Sequence, residues 1–356
     1  MTASAGASGD GPTASHSPIR AGFALRKEKA RKHVRAELVE EARSRGIEIV
    51  VIDENRPLEE QGPFDVILQK IRRKEFEEEL EAYKERHPEV HLCDPPSATH
   101  LLRNRKSMLD VMPREGLIFD MRDTKNMENM EDMEDMETTE TMETTEKDKE
   151  TYSFKCTVPN HVVVEEGVTF EEAKRRVAAA GLTYPFLAKS LWADGRAGSH
   201  DIAVCWSVEG LRELCSSLKA PTKLPVLLEQ YVDHGECLFK VYVLGNQHVL
   251  VTRPSLHLET LDNTRGESLQ SVNRVSAYPS SRSWGSASLA PPDHGVPTPP
   301  ERVWRGVARE LHEQTGLSLF NFDLIVPRTG GEFGEREVHL IGMFLESLRL
   351  ALALPH

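Results

Sequence analysis

The sequence predicts an α/β (α+β) chain of two or three packed domains, and three observations carry that reading. At 356 residues and 39% hydrophobic, the chain is long enough to bury more than one core. In its first hundred residues, strand-like apolar runs alternate with charged helical ones, the pattern of a small parallel sheet. From residue 155 onward apolar β-type runs follow one another, and two of them carry a lysine. Aromatic residues at 6% and charged residues at 28% fit a globular chain, neither fibrous nor disordered throughout.

Residues 1–19, rich in Ala, Ser, Gly and Thr, predict a disordered tail. Residues 20–45 are strongly charged, with Leu25, Val34, Leu38 and Ala42 at roughly helical spacing. After Gly46, the run Ile47-Glu48-Ile49-Val50-Val51-Ile52-Asp53 reads as a strand. Residues 63–68 read as a second strand, 76–86 as a charged helix, and 90–94 as a third strand ending in a turn at Pro95-Pro96. These elements assign residues 20–123 to a small N-terminal α/β domain.

Residues 124–152 change character. Met127, Met130, Met133 and Met136 repeat every third residue and drift around a helix, so they make no fixed seam. Composition predicts a solvated acidic low-complexity insert, with a Met-rich partner-binding helix as the alternative. Residues 153–341 are globular again, with a helix over 170–180 and strands over 185–189, 201–204, 226–231, 238–244 and 249–253. Ser, Pro and Gly mark a mobile insert over 277–300. A helix over 301–314 ends at Gly316, and 319–326 is an apolar strand interrupted by Asp323. In the tail, 342–356, Leu345, Leu348 and Leu352 fall on one face of a short helix.

Charge and cysteine content exclude several classes. The formal net charge is −13, of which residues 128–150 contribute −9, so the rest is only mildly acidic and the globally basic body of a duplex-DNA binder is missing. No run of eighteen apolar residues occurs, and residues 1–18 lack the apolar core of a secretory signal. Cys93, Cys156, Cys205, Cys215 and Cys237 are scattered without a C-x-x-C pair, which predicts reduced thiols and a cytoplasmic protein.

Four stretches are candidates for chemistry. Arg26, Lys27, Lys29, Arg31, Lys32 and Arg35 crowd ten residues, either as a solvated helix face or as an electrostatic funnel for a polyanion. Lys189 ends the apolar run Tyr184-Pro185-Phe186-Leu187-Ala188 and needs an anionic partner or a route to solvent. The loop after it holds Gly195 and Gly198, which let backbone N–H groups approach phosphate oxygens. Lys240 sits in a second apolar run, after the polar hinge Glu229-Gln230-Tyr231-Val232 and its continuation Asp233-His234-Gly235. Asp323 is a metal-ligand or ion-pair candidate, because a carboxylate buried alone is costly.

In this order the stretches resemble the ATP-grasp fold, and within it the inositol-tetrakisphosphate 1-kinase (inositol-trisphosphate 5/6-kinase) family. The motifs are Arg56-Pro-Leu-Glu-Glu-Gln-Gly-Pro-Phe-Asp-Val-Ile67, Asn104-Arg-Lys-Ser-Met-Leu109, Lys189-Ser-Leu-Trp-Ala-Asp-Gly-Arg-Ala-Gly-Ser-His200, His234-Gly-Glu-Cys-Leu-Phe-Lys240, Arg253-Pro-Ser-Leu256 and Phe320-Asn-Phe-Asp323. The resemblance implies an ATP- and Mg²⁺-dependent kinase acting on inositol tris- and tetrakisphosphates, a monomer with no nucleic-acid partner. The alternative is a catalytically impaired ATP- and inositol-phosphate-binding protein of the same fold. It places ATP contacts on Arg105, Lys189, Glu229, Gln230, Tyr231, Val232, Lys240, Ser255 and Ser276. Substrate contacts fall on Lys29, His200 and Lys240, catalytic roles on Lys240 and His200, and a magnesium ligand on Asp323. One departure stands out. Where the family carries Asp-Ile-Asn with further magnesium ligands, this chain has Gly342-Met343-Phe344, so the C-terminal part is read as truncated or divergent.

Overall fold

Short apolar runs closed by turns give this chain fifteen strands among its described residues, and it folds into two compact units, Met1–Pro96 and Ser97–His356. The computed structural model describes residues 17–121, 153–216, 220–235, 237–256, 258, 261, 266–272, 297–328 and 335–345. The expected inserts at 124–152 and most of 277–300, the helical tail beyond 345, and Ser276 lie outside the described residues.

The first unit contains β1 (Ile19–Ala24), α1 (Lys27–His33), α2 (Ala36–Ser44), β2 (Ile47–Val51), β3 (Val66–Gln69), α3 (Lys74–Arg86) and β4 (His91–Cys93). Its sheet is parallel throughout, in the order β2-β1-β3-β4, as the alternation predicts. Ile52, Leu58, Ile67, Phe76, Leu80 and Tyr83 fill its core.

The stretch expected to be helical from residue 20 instead begins with β1, and Ile19 pairs with Ile47 rather than trailing in a tail. The reason is position. β1 is the central strand, hydrogen-bonded on both sides, and its small residues let neighbours close over it. A Cβ on Gly22 would stand 2.7 Å from Ile52 Cδ1.

A short helix, α4 (Pro96–Leu101), begins at the boundary. The second unit continues with α5 (Arg105–Leu109), β5 (Leu117–Asp120), β6 (Ser153–Thr157), β7 (His161–Val164), α6 (Phe170–Ala179), β8 (Phe186–Ser190), β9 (Ile202–Cys205) and α7 (Val208–Ser216). It is completed by β10 (Val226–Gln230), β11 (Cys237–Leu244), β12 (Gln247–Pro254), β13 (Leu269–Val272), α8 (Glu301–Thr315), β14 (Leu319–Ile325) and β15 (Glu335–Leu345). The boundary between the compact units falls at Pro96, and β5 pairs with β6 inside the second unit's sheet.

Two sheets organise this unit. A five-stranded antiparallel sheet, β13-β9-β8-β10-β7, buries one face against α6 and α7 through Val164, Ala173, Phe186, Leu211 and Leu228. A six-stranded sheet, β12-β11-β14-β15-β6-β5, buries Phe239, Val241, Phe320, Phe322 and Met343 against Val303, Val307 and Leu311 of α8. Strand periodicity then sends the alternate residues Lys189 and Glu229 of one sheet, and Lys240 and Asp323 of the other, to the opposite faces. β15 continues to Leu345, beyond the point where the divergent tail was expected to begin, because it pairs along β14 as far as Phe320.

Candidate nucleotide site

The lysine in the apolar strand β8 finds its anion on the neighbouring strand. Lys189 pairs in register with Leu227, which sets Glu229 two residues further along on the same face. Lys189 Nζ donates to Glu229 Oε1 at 2.5 Å, and the two residues are 4% and 2% exposed. Three N–H donors on one ammonium leave geometry for phosphate oxygens beside the carboxylate.

Next to this pair a cleft is lined by Leu187, Lys189, Glu229, Gln230, Tyr231, Val232, His234, Leu256, Ile325 and Ile341. One end is apolar, from both sheets, and the other carries the ion pair. That is a shape for a flat heterocycle joined to an anionic tail. The hinge predicted from sequence lines it completely. Leu187, Leu256, Ile325 and Ile341 are given no contact role by the sequence. Ile341 is set by an irregularity: the β14–β15 register shifts between Asp323 and Leu324, so Ile341 has no partner in the ladder.

Other predicted residues act on the walls of the cleft. Gln230 accepts from Thr183 N at 2.8 Å and donates to Tyr231 O at 3.0 Å, so its side chain fastens the hinge to the 183–185 turn. His234 Nδ1 lies 2.7 Å from Val232 O, which fixes the proton there. Nε2 then accepts from the Ser255 hydroxyl at 2.7 Å. Ser255 is thus buried behind the hinge, bonded to His234.

Arg105 enters from α5. Its Nε donates to Ser190 O at 2.9 Å and an Nη to Ser199 O at 3.2 Å, spanning both ends of the glycine-containing loop. Burial lowers the pKa of its guanidinium and the charge of Glu229 raises it. Within the loop Gly195 and Gly198 take φ of 85° and 79°, values that side chains with a Cβ resist. Asp194 is held below the usual carboxylate range by Arg196, which also lies over the Trp192 ring. His200 closes the loop and is exposed. Lys29 is exposed on α1 of the first unit.

The second lysine is engaged too. Lys240 faces Asp323 across β11–β14; its Nζ donates to Asp323 Oδ1 and, at 2.8 Å, to Asn321 Oδ1. Arg253 lies on the same face and donates to the Tyr242 hydroxyl. On the other side of Asp323 stands Gly342.

This arrangement does not fit the magnesium site that the resemblance implies. Asp323 is ion-paired with Lys240 in this structure, its neighbour Gly342 brings no side-chain oxygen, and among the described residues no three His, Cys, Asp or Glu side chains group to hold a metal. Magnesium prefers six oxygens in near-octahedral array, several of them water, with carboxylates as anchors.

Residues 150–334 match the family described as inositol 1,3,4-trisphosphate 5/6-kinase ATP-grasp domain, and residues 20–99 match its pre-ATP-grasp domain. The chain is similar to inositol-tetrakisphosphate 1-kinase 1 of Oryza sativa subsp. indica, 34% identical over 308 residues, 85% of this chain and 73% of that protein. It is 35% identical to inositol-tetrakisphosphate 1-kinase 2 of Oryza sativa subsp. indica over 305 residues, 85% of this chain and 74% of that one. Against inositol-tetrakisphosphate 1-kinase 4 of Glycine max it is 32% identical over 322 residues, 90% of this chain and 80% of that one. Among the described residues no helix is long and apolar enough to cross a membrane.

Proposed function

The chain belongs to the inositol 1,3,4-trisphosphate 5/6-kinase and inositol-tetrakisphosphate 1-kinase family of ATP-grasp kinases, and from that premise we propose that the cleft beside Lys189 is its ATP site. The adenine lies between Leu187, Leu256, Ile325 and Ile341, with the backbone of residues 229–232 reading its edge. The phosphates run toward Lys189, whose partner Glu229 keeps the ammonium aimed, as paired lysines do in other phosphoryl-transfer sites.

The acceptor is a hydroxyl of an inositol tris- or tetrakisphosphate. Its oxygen bonds to the γ-phosphorus as its proton passes to water, the bond to the bridging oxygen breaks, and ADP leaves with the electron pair. Such a step depends chiefly on positioning and on spreading negative charge, with no covalent enzyme intermediate. Arg105 fixes the loop that carries His200, the residue we assign to the substrate phosphates. The observation that carries the reading is the cleft, which joins an apolar end to a buried lysine.

Equilibrium dialysis tests it. ATP should bind the wild-type chain and bind Lys189→Met at least tenfold more weakly, about 1.4 kcal/mol. Equal affinity in the two proteins would sink the assignment. Gly342 opposite Asp323 favours a second reading, the impaired binding protein, in which divergence at residues 342–344 leaves transfer slow. Turnover of inositol 1,3,4-trisphosphate, compared with an Oryza sativa relative, separates the two.

A further inference from the structure

We infer that this chain binds ATP without needing a divalent cation, with the Lys240 ammonium serving as the standing countercharge to Asp323. The inference rests on the nucleotide reading above and deepens it. Three observations lead there.

The first is the pairing itself. A metal-requiring site keeps its carboxylates available as oxygen ligands. Here the Asp323 carboxylate accepts from Lys240, and Asn321 Oδ1 accepts from the same ammonium. A dication approaching Asp323 meets that ammonium and is repelled.

The second is register. Asp323 sits opposite Lys240 on one side and Gly342 on the other. The strand that passes closest on the second side brings a residue with no side-chain oxygen. One anionic oxygen donor, already hydrogen-bonded, is a poor anchor for an ion that gives up water reluctantly.

The third is the sign of the buried charge. Among the described residues of the second unit, the buried formal charges are three cations, Lys189, Lys240 and Arg253, and two carboxylates, Glu229 and Asp323. An excess of buried carboxylate draws a dication, whereas the buried groups of this unit carry an excess of cation. That excess suits the four negative charges of ATP without a metal bridge.

The test uses the full chain and ATP as the probe. Dissociation constants are measured by calorimetry in buffer with EDTA and in buffer with MgCl₂ at matched ionic strength. The expected result is affinity in EDTA equal to that in magnesium within about fivefold, or tighter. Binding that magnesium tightens by more than about fivefold overturns this inference and leaves the ATP site standing. Absence of binding in both buffers overturns it together with the nucleotide reading.

A nucleotide-free measurement adds a second arm. MgCl₂ should leave the thermal midpoint of the wild-type chain unchanged, while Lys240→Met, with Asp323 uncovered, should gain stability on magnesium addition. A wild-type midpoint that rises with magnesium as much as the variant's counts against the inference.

Discussion

Replacing Glu229 by Leu removes the anion from a pair that is nearly dry on both sides, 5% and 3% exposed by side chain. At 2.5 Å and an effective dielectric near 20, two unit charges attract by about 7 kcal/mol. Desolvation of both groups consumes most of that, so the intact pair contributes little net stability. The broken pair differs: Lys189 is then buried, charged and without its carboxylate, at a cost of about 3–5 kcal/mol. In a unit of this size that lowers the thermal midpoint by roughly 6–20 °C. Lys189→Met should cost a similar amount by stranding Glu229. The double variant removes both charges and should return to within about 2 kcal/mol of wild type. Calorimetric unfolding of the four proteins gives the coupling energy. Additive losses in the double variant would refute the reasoning, because they would show that the side chains contribute as independent packing elements.

Three further outcomes follow from particular contacts. Gln61 accepts from Asp53 N at 2.8 Å and donates to Asp53 O at 3.1 Å and Arg56 O at 2.9 Å; Gln61→Ala should destabilise the first unit by about 2–4 kcal/mol in urea unfolding, and an unchanged midpoint contradicts this. Burial holds His339 below its usual 6.5, with Glu337 and Glu229 pulling the other way. The unfolded chain therefore binds the extra proton as pH falls through 6.5, and stability drops from there downward until the folded ring titrates as well; His339→Gln should flatten that part of the curve of midpoint against pH, and an unaltered slope counts against it. Burial pushes the thiols of Cys93, Cys156 and Cys205 up to about 12; iodoacetamide should therefore mark the half-buried Cys215 first, and equal labelling of Cys156 would contradict the packing.

Lys189 and Lys240 were legible because a lysine in an apolar strand is a local anomaly. Their partners were less so. Asp323 could be narrowed only to a metal ligand or an ion pair, since the choice depends on which residue stands across the sheet. Arg105 contacts carbonyls 85 and 94 residues away, a distance no local pattern encodes. Ile341 lines the cleft through a register shift, and nothing in a run of apolar residues marks where a ladder will slip. β1 was hidden for a related reason: Ala21, Gly22 and Ala24 are poor strand formers alone and suit a strand only once neighbours cover it. The motif around Gln61, by contrast, is one of those that carry the family resemblance, yet its contacts are architectural. Leu58 is fully buried and its N–H is capped by Glu79 at 2.7 Å, so this motif reports the shape of a turn and not chemistry.

The pairing of Asp120 with Ser153 sets a geometric permission. Everything the chain places between these residues departs from and returns to adjacent positions on neighbouring strands. The closure entropy of such an excursion grows only logarithmically, by about 0.6 kcal/mol for each doubling of its length. Descendants of this sequence can thus lengthen, shorten or rewrite the acidic stretch with almost no thermodynamic consequence for the sheet. By the same geometry, a chain severed there would keep its two ends side by side, held by the ladder between β5 and β6.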